Sequence, residues 1–493
     1  MRAPKISRSF ARFVAIRALM ALLLFMTLAA WSMGSAVGGS PDEDYVLTSI
    51  WCGTEGNPPY CRKDPDRYWG MILPIMAAEP QTCYSLAQNL SANCQAVIQG
   101  REVSTDVYNL GLYPKRYLDF ARNFVSPFVE ASVVKIRLFN SFIGALLIFV
   151  TLSLDSRRLS DSFIAWLAVI TPCVSYFIAS VNTSSWTLIG TTCFVYATIA
   201  ATKNYRNLKI LIPASLTIVF SVWFTNSSRH EGKYAILFLA LALLFSEFHK
   251  KKLVLKPVGY ALVGILFTAM AYLVYMHLDR AYGSASLVEG SRYLFDNGVV
   301  TSEGNLLVQN FLDLPRFFLG FFGSWGLGWF EIELTHTVWL FSMQAFLLTT
   351  VFSLRKSGEI HRWIFVALFV TMCILILYAN QKQFGEIGEY IQPRYFLPFF
   401  LGIVIIAAAN KTERYPNSLV ITVAILATIS NSIALRDTIR RYTTGQDVLT
   451  SKSLNYPIEW WWQFGPQPET VWLTGTLAFA TLWALLIYQR IER

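Results

Sequence analysis

Blocks of about 20 apolar residues alternate along this chain with short loops rich in lysine and arginine, a pattern that few architectures other than a helical membrane bundle accommodate. Backbone in hydrocarbon must satisfy its own hydrogen bonds, and an α-helix does so within one segment. Spans are expected at roughly 15–38, 132–154, 163–181, 184–202, 210–227, 233–249, 257–278, 335–354, 362–380, 395–410, 417–435 and 470–488, about twelve in all. Only 15% of the 493 residues are charged, against about 25% in soluble proteins, and 54% are hydrophobic. The net charge of +10 does not imply a nucleic-acid partner, because it follows from where the cations sit. Arg157 and Arg158, then Lys203, Arg206 and Lys209, then Lys250, Lys251, Lys252 and Lys256 occupy short loops of one side, and Arg355, Lys356, Arg362, Lys411 and Arg414 continue the series. By the positive-inside rule these loops are cytoplasmic, and an even number of spans places both termini there. The fold expected is an all-α, multi-pass plasma-membrane protein in contact with lipid.

Arg2, Lys5, Arg8, Arg12 and Arg17 precede the first apolar stretch, 18–31, and Gly34-Ser35-Ala36 has the small residues of a signal-peptide cleavage site. The length of the stretch and the pattern after it suit an uncleaved signal-anchor better. The organisation expected is a cytoplasmic N-terminus and first helix (1–38), a first extracytoplasmic loop (39–131), helices 2–7 (132–278), a second outer loop (279–334), helices 8–11 (335–435), a third outer loop (436–469), and a last helix with its tail (470–493). Within the second loop, 316–333 is apolar but broken by Gly320, Gly323, Gly326 and Gly328, and reads as a re-entrant or interfacial segment lining a cavity.

Immediately after the first span comes Ser40-Pro41-Asp42-Glu43-Asp44. An acidic side chain in hydrocarbon costs roughly 2.5–3.5 kcal/mol at a helix centre, so three in a row belong at the interface or in a polar cavity. Pro41, lacking an N–H, is expected to stop the first helix. Cys52, Cys61, Cys83 and Cys94 share the same exported loop, which points to two disulfides. If 83–96 is one helix, Cys83 and Cys94 lie about 16 Å apart along it and must pair with Cys52 and Cys61 instead. Tyr117, Phe120, Ala121, Phe124 and Phe128 recur at helical spacing, either as an amphipathic helix on the outer leaflet or as an ordinary packed one. Trp460, Trp461 and Trp462 are expected at the headgroup layer, with a sugar-stacking platform as the other reading.

The notable outer-side charges are Asp42, Glu43 and Asp44; Arg229, His230, Glu231 and Lys233; Glu386 and Glu389; and Arg394 at a span entrance. Carboxylates on one loop and cations on others suit a reaction in which a carboxylate takes the proton of a hydroxyl while cations neutralise a phosphate leaving group. Sugar transfer from a lipid phosphate has that chemistry. There is no Walker loop, zinc-protease motif, dinucleotide fingerprint or Gly-x-Ser-x-Gly elbow.

Ser40-Pro41-Asp42-Glu43, Gly323-Ser-Trp-Gly326-Leu-Gly-Trp329 and Pro393-Arg394-Tyr395-Phe-Leu-Pro398, in this order and spacing, resemble a bacterial domain-of-unknown-function family of multi-spanning membrane proteins that is similar to the GT-C glycosyltransferases. The resemblance implies a GT-C-like fold and an inverting transfer, on the extracytoplasmic face of a bacterial inner membrane, from a polyprenyl-phosphate sugar to a cell-envelope glycan or glycolipid. Asp42 or Glu43 would be the general base. Arg394, with Arg229 or Lys233, would hold the donor phosphate, and Asp44, His230, Glu386 and Glu389 would line the substrate site. A divalent cation at the acidic cluster is compatible with this chemistry but not required by it. The rival readings are a flippase for lipid-linked glycans and a non-catalytic envelope assembly protein.

Overall fold

The structure, a computed structural model, describes residues 8–250 and 303–491, apart from 54–55, 57–58, 86, 88, 109–112, 155–158, 446–453, 455–458 and 463. The expected span 257–278 and residues 279–302 of the second outer loop lie outside the described residues.

The elements in chain order are α1 (Arg8–Met33), α2 (Glu43–Cys52), β1 (Arg62–Lys63), β2 (Met71–Pro74), α3 (Ile75–Ala78), α4 (Gln95–Ile98), β3 (Glu102–Thr105), α5 (Lys115–Arg122), α6 (Val129–Ser153), α7 (Leu159–Val169), α8 (Pro172–Ile178), α9 (Ser184–Lys203), α10 (Leu208–Asn226) and α11 (Gly232–Lys250). There follow α12 (Glu303–Gly320), α13 (His336–Arg355), α14 (Glu359–Lys382), α15 (Leu397–Ala409), α16 (Asn417–Thr443) and α17 (Pro468–Ile491).

Among the described residues seven helices are long and apolar enough to cross a membrane, eight if a bent pair counts as one span. The described residues thus hold fewer such helices than the twelve spans expected along the whole chain, and several stretches show why. The stretch 163–181 is not one helix: α7 and α8 meet at 91°, because Thr171 caps α8 with its hydroxyl and Pro172 follows at the first helical position. The stretch 395–410 yields α15, whose 13 residues reach about 20 Å, short of a bilayer core. Helix α9 runs through the middle of the bundle, buried along nearly its whole length from Ser184 to Ala200, and its Ser and Thr side chains face protein.

Residues 43–125 form a small subdomain on one face of the bundle. It holds α2, an antiparallel three-stranded sheet in the order β1-β2-β3, and α5. Its disulfides join Cys52 to Cys61 and Cys83 to Cys94, with Cα separations of 5.1 and 6.0 Å. This corrects the expected crosswise pairing. Residues 83–96 are not one helix; the chain turns at 81–85 and becomes helical again only at the 3₁₀ turn Ala92–Cys94, started by the Ser91 side chain and leading into the short α4. The α5 face packs against the bundle and not on a leaflet, with Phe120 5.5 Å and Tyr117 5.0 Å from the Trp186 ring. Trp461 and Trp462 are likewise buried, and Trp462 donates to the Met33 carbonyl at the end of α1.

Helix α1 ends at Met33, eight residues before Pro41, so the proline does not stop it. Arg137 of α6 does the terminal work instead, donating to the carbonyls of Ser32, Ser35 and Ala36, groups that the end of a helix leaves without intrahelical partners. The glycine-rich stretch after α12 forms no helix of its own between Phe321 and Thr335. It closes with a Leu327–Ile332 bridge and packs on the segment after α1, where Trp329 donates to the Gly38 carbonyl. At Gly328, φ is +61° and a Cβ would stand 3.0 Å from the Gly39 carbonyl oxygen, so the close approach requires glycine.

Candidate functional site

Donors from several helices hold the loop 34–42. Tyr176 and Tyr442 donate to the Gly39 carbonyl, Asn182 donates to the Pro41 carbonyl, and the Ser40 N–H donates to Glu43. With its neighbours fixed, Asp42 takes a left-handed conformation, φ +61°, at the start of α2. Few non-glycine residues adopt it, and such strain persists only where the surroundings impose it.

The three carboxylates of the cluster have three different fates. Glu43 is fully buried and spoken for: Arg137 grips both its oxygens at 2.8–2.9 Å. Asp44 accepts from the Tyr45 N–H and from the Gln81 amide. Burial pushes its carboxyl above the ordinary aspartate range, and those two donors pull it part of the way back. Asp42 keeps a side chain 28% exposed, and its Oδ2 accepts from Arg394 at 2.9 Å and from the Tyr113 hydroxyl at 3.1 Å. Among the described residues no three His, Cys, Asp or Glu side chains converge as a metal site, and these divergent partners explain why the acidic run is not one.

Arg394 arrives on a 3₁₀ turn, Pro393–Tyr395, just ahead of α15. Arg229 arrives from the turn between α10 and α11 and donates to Ser184 Oγ at 2.8 Å. The Tyr395 ring stands between the two guanidinium groups, 5.0 Å from that of Arg394 and 4.7 Å from that of Arg229, so an aromatic face partly offsets their mutual repulsion. Both arginines are more than nine-tenths buried, yet Nε and Nη1 of Arg394 and Nε of Arg229 have no hydrogen-bond partner among the described residues. Glu231 is half-exposed and lies 3.7 Å from Arg229 Nε. A small, partly open cleft is lined by Ser184, Thr187, Arg229, Glu231, Arg394 and Tyr395, among others. Buried guanidinium donors left unmatched beside a cleft are expensive, and an anion would satisfy them.

The remaining sequence candidates sit apart from this arrangement. His230 shares the Arg229 turn, and Lys233 lies in the first turn of α11 with its ammonium over the Tyr234 ring at 5.0 Å. Glu386 and Glu389 occupy an exposed turn in which Glu389 accepts from the Glu386 N–H. Arg137, Tyr113 and Asn182 are absent from the sequence-based candidates, and Tyr395 figures there only within the Pro393–Pro398 motif, without a role of its own. For Arg137 the signal was present, since an arginine inside an apolar span requires a partner. Another small cleft lies around Asp161, Lys203 and Lys411. Its charges serve the bundle: Asp161 pairs with Lys411 and Arg490, and Lys203 caps the Ala409 carbonyl at the end of α15.

The architecture and the cleft thus define a multi-helix membrane protein with a buried arginine pair beside a strained aspartate. The chain belongs to the DUF2142 family of predicted membrane proteins, whose pattern matches residues 24–403 and so includes Asp42, Arg229 and Arg394. No curated protein and no solved structure matches it.

Proposed function

We propose that this protein is a glycosyltransferase that takes a sugar from a polyprenyl-phosphate donor and passes it to a cell-envelope glycan or glycolipid, with inversion, on the face carrying the disulfide-bonded subdomain. The observation that carries this reading is the Asp42–Arg394 contact at the mouth of a cleft holding a second buried arginine. An anionic leaving group held by Arg394 and Arg229 would depart with the bonding electrons while an acceptor hydroxyl, its proton taken by the Asp42 carboxylate, attacks the same sugar carbon from the opposite face. Of the two candidate bases Asp42 is preferred. Glu43 has both oxygens committed to Arg137 and no exposure, whereas Asp42 retains one oxygen without a described partner. The positive-inside distribution of lysine and arginine supports placing the subdomain outside a bacterial inner membrane.

Deletion of the protein tests the reading. The expected result is the loss of one defined envelope-glycan linkage together with accumulation of a polyprenyl-phosphate sugar at the extracytoplasmic leaflet. Accumulation of the lipid at the cytoplasmic leaflet would point to a flippase, and an unchanged lipid pool to an assembly role.

A further inference from the structure

We propose that Tyr113 is a positioning residue, holding the Asp42 carboxylate in place through Oδ2 so that Oδ1 faces the acceptor when the donor's phosphate engages Arg394. This inference rests on the transferase reading and adds a residue to it. Asp42 Oδ2 takes two donors, Arg394 Nη2 at 2.9 Å and the Tyr113 hydroxyl at 3.1 Å, while Oδ1 accepts nothing among the described residues. Arg394 cannot be the sole anchor, because its guanidinium is also the group an incoming anion would draw upon. The Tyr113 hydroxyl carries no charge for a phosphate to recruit.

The ring of Tyr113 is fixed on two sides. Tyr45 meets it edge-on at 5.7 Å, and the Arg229 guanidinium lies 5.4 Å from its centroid. The same side chain therefore touches the carboxylate and the second arginine, and relates the one to the other. Burial pushes the phenol well above its ordinary range, which keeps it a hydrogen-bond donor at any working pH. A free carboxylate has two rotameric choices and water to pair with; the bond from Tyr113 removes that freedom before the reaction.

The test uses the full-length protein in lipid nanodiscs, with the butanol-soluble lipid extract of the deletion strain as donor and that strain's membranes as acceptor. Rates are measured against the amount of extract, and farnesyl phosphate binding is titrated separately as a probe of the arginine cleft. Tyr113→Phe deletes one oxygen and keeps the ring against Tyr45 and Arg229. Loss of a hydrogen bond to a charged group corresponds to roughly 10- to 100-fold, and the maximal rate is expected to fall by that factor. The half-saturating amount of extract and the farnesyl phosphate affinity stay within about twofold of wild type, a split that a merely structural role would not give. A Tyr113→Phe rate within about threefold of wild type, with Asp42→Asn inactive, overturns the role of Tyr113 and spares the transferase reading. A fall in rate matched by an equal loss of farnesyl phosphate binding likewise overturns it, since Tyr113 would then serve the cleft. Full activity of Asp42→Asn, or no transfer by wild type, overturns both.

Discussion

Arg137 Nη2 lies 2.8 Å from Glu43 Oε2, and neither side chain touches solvent. The pair joins α6 to the start of α2, and the same guanidinium caps the last carbonyls of α1. It is a structural pin for the loop that presents Asp42, and this separates two neighbouring carboxylates by role.

Glu43→Gln should accordingly destabilise the protein without acting on the chemistry. Leaving one member of a buried ion pair uncompensated costs about 3–5 kcal/mol, so a large drop in thermal midpoint and in membrane yield is expected. Arg137→Lys should fare no better, because a single ammonium cannot reach Glu43 and the three carbonyls together. Detergent-solubilised thermal melts measure both.

The two disulfides are local clamps, spanning 9 and 11 residues. Peptide mapping without reduction should recover Cys52 linked to Cys61 and Cys83 linked to Cys94. Replacing either pair with alanine should loosen the subdomain by about 2–3 kcal/mol, given the short loops closed, and raise its protease sensitivity while the bundle melts as before.

Asp44 gives a pH dependence of defined sign. Its carboxyl is held above the ordinary range in the folded protein, chiefly by burial, so the folded state binds the proton more tightly than the unfolded one. Stability should decline as pH rises from below the unfolded aspartate pKa, about 4, through the higher folded value, and level off above it. Asp44→Asn, which does not titrate, should lack this decline and melt higher than wild type at neutral pH. Equal slopes in melts between pH 3.5 and 8 would contradict this.

Much of this architecture is legible from apolar periodicity alone, because a bilayer-length helix leaves a long and uniform mark. What escaped depends on partners far along the chain. The end of α1 is set by Arg137, 101 to 105 residues away, and not by the adjacent proline. The break between α7 and α8 was marked by Thr171-Pro172, a helix-start signal overridden in the reading by the surrounding hydrophobicity. The cysteine pairing failed on a premise about local helix, which the chain reversal at 81–85 removes. Of the site, Asp42, Arg229 and Arg394 were visible as charges in unlikely places. Tyr113 and Asn182 were not, and Tyr395 was visible only as a motif member, since tyrosine and asparagine are unremarkable in sequence and acquire a role only from the groups they touch.

Complementation with Asp42→Asn, set beside wild type at matched membrane levels in the deletion strain, tests the central claim most directly. Envelope glycans are compared by linkage analysis, and the thermal midpoint of the variant is checked against wild type. The account predicts a folded, wild-type-like protein that fails to restore the missing linkage, with a loss of roughly 10²-fold or more expected for a general base. Full restoration of the linkage by Asp42→Asn would contradict it.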